Sequence, residues 1–184
     1  MGEGDLRQGL AGLPITLATL CPIQQQMTTG GLMTSAAAED DRFLHAFRGS
    51  FTSTLRWHQF DALWDHLRLL ADGRWYVYAV GEDVPERPIS ASEYLEFLDE
   101  VAVLLREEHD EDYCGIVYAD DLQHPSFVKI YDPNNLGVSC GYSDNPPLPG
   151  WVVSRLAPVD LPTRQPLPKN RRRWWQRLFP GAGE

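Results

Sequence analysis

The chain has few cysteines, hardly any lysine and no long apolar run, and each scarcity removes a class of protein. Three cysteines in 184 residues are too few for a disulfide scaffold. No stretch approaches the roughly 18 apolar residues needed to span a bilayer, so the sequence does not read as an integral membrane protein. Phosphate loops and dinucleotide fingerprints are missing, and so is the GxSxG nucleophile elbow. There is no CxxC, HExxH or HxH spacing, so nothing in the pattern asks for a metal or another cofactor. Lys129 is the one lysine before the C-terminal tail; with arginine favoured throughout, it reads as composition rather than catalysis.

What is present is enough to fold. Hydrophobic residues make up 43% and aromatics 11% of the chain, which supports a core and excludes wholesale disorder. The length suits one domain with tails. Charge is divided unevenly. From Arg164 onward there are six basic residues against Glu184, a net of +5, so residues 1–163 carry −15 of the overall −10. A body of that sign repels nucleic-acid phosphates and anionic lipid, whereas the tail attracts both.

Along the chain, residues 1–38 lack a sustained period and carry scattered glycines and a Gln24–Gln26 run. The flanks do not suit a signal peptide, and the segment reads as a disordered extension or a misassigned start, with Met27 or Met33 as alternative first residues. The folded body is expected over residues 39–161. Phe43, Ala46 and Phe47 share a helical face, with Asp40 and Asp41 suiting a helix N-terminus. Thr52-Ser53-Thr54 offers caps for a second helix, in which Phe60, Leu63, Trp64, Leu67 and Leu70 recur at helical spacing until Asp72-Gly73 stops it. Ser90-Ala-Ser-Glu93 is a capping box that opens a third helix carrying Tyr94, Phe97, Leu98, Val101, Leu104 and Leu105. Strands are expected at 74–80, 113–119, 126–131, 138–143 and 151–156, separated by turn-forming segments. These elements predict an α+β domain: an antiparallel meander of about five strands packed on three helices on one face. Residues 162–184 read as a proline-rich linker and a basic Arg/Trp tail.

Two charge features point to binding. The run Glu107-Glu108-His109-Asp110-Glu111-Asp112 closes the third helix, where the macrodipole disfavours carboxylates. It suits a basic protein partner, or the chain's own Arg171-Arg172-Arg173. The tail, with Arg171, Arg172, Arg173, Trp174, Trp175 and Arg177, combines apolar area with cationic tips. Such a segment suits an anionic membrane face, a second protein surface or the chain's own domain. A solvated acidic face and an inert tail are the plain alternatives.

Catalytic parts are sparse. Cys114 and Cys140 lie on expected strands, with His124 and Asp132 in neighbouring turns, which supplies the components of an activated thiol. Strands pairing in sequence order would hold the two cysteines roughly 9.5 Å apart, too far for a disulfide. Asp120, Asp121, His124 and Asp132 could meet at adjacent turns, but the loop opened by Asp132 lacks the bidentate glutamate of a calcium site. Trp57, Trp64, Trp75, Tyr76, Tyr78 and Trp151 suit a core better than a pocket. The sequence therefore leads to a small accessory or immunity-type binding protein of the bacterial cytoplasm. Its acidic domain would engage a basic partner, and its tail would tether it to a second surface such as a membrane face. A cysteine-dependent hydrolase or transferase using Cys140 or Cys114 with His124 is the alternative.

Overall fold

A computed structural model of the chain describes residues 35–134, 148–161 and 167–180. Among the described residues the helices are α1 (Ser35–Phe47), α2 (Trp57–Leu69), α3 (Ala91–Glu108) and α4 (Lys169–Leu178). The strands are β1 (Thr52–Ser53), β2 (Tyr76–Ala79), β3 (Val117–Ala119), β4 (Phe127–Ile130) and β5 (Trp151–Ser154). The strands form one antiparallel sheet in the order β1-β3-β4-β5-β2. The described residues form one α+β domain, with a fourth helix beyond the three expected.

The sheet is covered on both faces, not one. Val77, Ala79, Val117, Ala119, Val128, Ile130, Trp151 and Val153 point into a core shared with α2, α3 and α4. On the other face Tyr78, Phe127 and Val152 meet Phe43 and Phe47 of α1, together with Leu161. The composition of the central strands accounts for this correction. All four residues of β5 are buried, and a strand with so little alternation needs a partner layer on each side.

Local signals account for the start of α3 and both ends of α2. In α3 the Ser90 hydroxyl accepts from the Glu93 N–H at 3.2 Å, and the Glu93 carboxylate accepts from the Ser90 N–H at 2.8 Å, the reciprocal capping read from the sequence. Gly73, at φ 72°, supplies the left-handed residue that turns the chain out of α2 towards β2. Two expectations shift. Thr52-Ser53-Thr54 does not cap α2; Thr52 and Ser53 form β1 against β3, and the Gln59 side chain instead accepts from the Arg56 N–H at 2.9 Å. α1 begins at Ser35, before the expected boundary at 39, so Asp40 and Asp41 fall within the helix.

Of the readings open for the Arg/Trp segment, α4 follows the one in which it packs on the chain's own domain. Trp175 and Leu178 of α4 are buried in the same core as Phe97 and Trp151, and the Trp151 and Trp174 rings stand 5.4 Å apart edge to face. The Arg/Trp segment is a packed layer of the domain rather than a free appendage. The strand expected at 138–143 lies outside the described residues. The neighbours of β4 are β3 and β5.

Candidate functional site

Three cationic residues of α4, Arg171, Arg172 and Arg177, tie the helix to acidic residues elsewhere in the domain. Arg171 is only 3% exposed. Its Nε donates to Asp132 Oδ2 at 2.7 Å, one terminal nitrogen to Glu108 Oε1 at 2.7 Å, and the other to Asp132 Oδ1 at 2.9 Å and to Glu108 Oε2. Asn134 also donates to Glu108, at 2.7 Å. Burial works against the charge on Arg171, but the hydrogen bonds to Glu108 and Asp132 outweigh it and raise its pKa. Those from Arg171 hold the Glu108 carboxyl below its ordinary value. Arg172 donates to Glu82 at 2.8 Å and Arg177 to Glu100 at 2.6 Å. Arg173 is exposed, Trp174 half-buried and Trp175 buried. The apolar half of the supposed tether is thus engaged by the chain itself, because Phe97 and Trp151 offer it a dry surface.

The candidate thiol site does not assemble from Cys114 and His124. Cys114 is fully buried; burial pushes its pKa up, and the Thr54 hydroxyl donates to its sulfur at 3.3 Å. It precedes β3, whereas His124 follows β3 in the exposed turn before β4, so the two occupy opposite ends of one hairpin. Asp132 is committed to Arg171. Cys140 lies outside the described residues. In the β3–β4 turn the acids serve the backbone: Asp121 accepts from the N–H groups of Gln123 and His124, and Asp120 from those of Ser126 and Phe127. Among the described residues no group of three or more His, Cys, Asp or Glu is placed to hold a metal ion.

Lys129 has a local task. Its ammonium donates to the Phe47 carbonyl at 2.6 Å and lies 4.2 and 3.9 Å from the centres of the Phe47 and Phe51 rings. It satisfies a carbonyl at the C-terminal end of α1, where a cation suits the macrodipole. Burial lowers its pKa to about 8.

The remaining acidic run surrounds a depression of about 260 Å³ lined by Trp57, Arg106, His109, Asp110, Glu111 and Asp112. The chain turns there because His109 closes α3, its N–H donating to the Leu105 carbonyl at 3.0 Å. The Trp57 indole then donates to the Glu111 carbonyl at 3.0 Å, and His109 Nε2 to the Tyr113 carbonyl at 2.9 Å. Arg106 lies over Trp57, 4.8 Å from the ring centre, and pairs with Asp61. Glu107, Asp110, Glu111 and Asp112 are exposed and make no ion pair among the described residues. Tyr113, whose ring centre stands 5.9 Å from that of His109, is 47% exposed.

Of the aromatics read as core, Trp64, Trp75, Tyr78 and Trp151 are buried, while Trp57 lines this depression. The contributions of Arg106 and His109 had no signal in the sequence, because both depend on how the chain turns after α3. Comparison with protein-family models, curated proteins and solved structures gives no match.

Proposed function

We propose that this chain is a small binding protein whose acidic face, at the C-terminal end of α3, engages a basic protein partner. The observation that carries this reading is the set of exposed carboxylates on Glu107, Asp110, Glu111 and Asp112, unpaired among the described residues. They sit at or just beyond a helix end that disfavours negative charge. They do not serve α3, and cations from a partner would relieve them. Glu108 in the same run already accepts a guanidinium, that of Arg171, which supports the affinity of this segment for arginine-rich surfaces. Electrostatic complementarity of this kind raises the association rate and excludes acidic partners.

The test is binding of a cationic polypeptide to the full chain and to the variant Glu107→Gln/Asp110→Asn/Glu111→Gln/Asp112→Asn. The wild type binds, and binding weakens as salt screens the charges. The variant binds at least about tenfold more weakly, a loss of roughly 1.4 kcal/mol. Equal binding by both proteins overturns the reading.

A further inference from the structure

We propose that Lys129 is a covalent binding site for a small uncharged aldehyde, held as an imine on its side-chain amine among the aromatic rings at the end of α1. The site is on the α1 face of the sheet and does not depend on the acidic-face reading.

The amine stands in a cluster built from several elements. Lys129 lies on β4, opposite Tyr118 of β3 and Val152 of β5, and Val152 belongs to the face that α1 covers. The end of α1 supplies the Phe47 ring, 4.2 Å from the ammonium, and the segment before β1 supplies Phe51 at 3.9 Å. The Tyr118 ring packs edge to face on Tyr131, centres 5.5 Å apart. Lys129, Phe47, Phe51 and Tyr118 are all partly exposed, so solvent reaches the cluster. Its rings are apolar and uncharged, which suits a small neutral molecule better than an anion.

The bonding of the ammonium suits the reaction. One N–H donates to the Phe47 carbonyl at 2.6 Å, and no carboxylate pairs with Lys129 among the described residues. A half-buried ammonium without a counter-ion gives up its proton more readily than an exposed one. Burial accordingly lowers its pKa from 10.5 to about 8. At neutral pH about a tenth of the amine is then free, against less than about one part in a thousand for an ordinary lysine.

The free amine attacks the aldehyde carbon, the carbonyl electron pair moves to oxygen and is protonated, and the carbinolamine loses water as the C=N bond forms. Ammonium and aldehyde thus give a protonated imine and one water, with charge unchanged. The two hydrogens that leave nitrogen are those the Phe47 carbonyl does not hold. The remaining N–H keeps that bond, and the cation, now larger and more weakly hydrated, stays against the Phe47 and Phe51 rings.

Lys169, exposed on α4 and the one other lysine of the chain, is the internal control. The full chain is treated at neutral pH with propanal and cyanoborohydride, which reduces each imine to a stable propylamine, and the two lysines are compared by peptide mass spectrometry. Lys129 should be alkylated at least about tenfold faster than Lys169, because more of its amine is free. Its rate should also saturate as propanal is raised, while that of Lys169 stays proportional to concentration. Phe51→Leu, which removes one ring and keeps an apolar side chain, should raise the propanal concentration at which Lys129 saturates. In the urea-unfolded chain the two lysines should react alike. Equal rates in the folded chain, a rate at Lys129 that never saturates, or an excess that survives in urea overturns the site.

Discussion

Arg171 shows how much one side chain can decide. It is a buried cation between two carboxylates, Asp132 and Glu108, and such a group holds a structure in place without adding much net stability. Removing it is another matter, because Asp132 is itself buried. Arg171→Met is expected to cost about 3–5 kcal/mol in urea unfolding. Arg171→Lys keeps the charge but loses the planar fork that reaches both carboxylates, and should also destabilise. Lys129 acts in the opposite sense. In the folded chain it titrates at about 8, below its ordinary 10.5, so between those values the unfolded chain binds more protons. Stability therefore rises with pH across that window. Thermal melting of wild type against Lys129→Met checks this: the part of the rise due to Lys129 disappears in the variant.

At the scale of elements, the helices differ in what holds them. α3 carries its own start signal, and Ser90→Ala is expected to lower stability by about 1 kcal/mol through loss of the cap, read as a shift in the denaturant midpoint with an unchanged slope. α4 depends on the surface beneath it. Trp175 packs with Phe97 and Phe179, ring centres 6.3 and 4.4 Å away. Trp175→Ala should cost about 3–5 kcal/mol, the range for truncating a large buried aromatic; a residue in a free tail would show almost no change in the same measurement. The short β1 is held from outside as well, since the N–H groups of Thr54 and Cys114 donate to the carbonyls of Val117 and Leu55, at 2.9 and 3.1 Å.

At the scale of the whole molecule, the division of charge along the chain becomes an internal fit: Arg171, Arg172 and Arg177 of α4 pair with Glu108, Asp132, Glu82 and Glu100. Acid should undo part of this. The Glu108 carboxyl lies below its ordinary pKa, and Asp72, held by Arg74 and Arg155, lies at about 2 instead of 3.8. Groups lowered in the folded state stabilise it fully above their unfolded values and lose that contribution as pH falls through the folded ones. The melting temperature should therefore fall as pH drops from about 5 towards 2, and less steeply in Arg171→Met, which lacks the Glu108 pairing. The sequence alone determined α2 and α3, the β2, β4 and β5 segments and the acidic run, because apolar spacing, a capping box and a run of like charge are properties of neighbouring residues. Only the tertiary structure decided that α1 covers the far face of the sheet, that Arg171 is buried against Glu108 and Asp132, and that Trp57, Arg106 and His109 line one depression. These contacts join residues tens of positions apart, and no local periodicity records which distant surfaces a folded chain brings together.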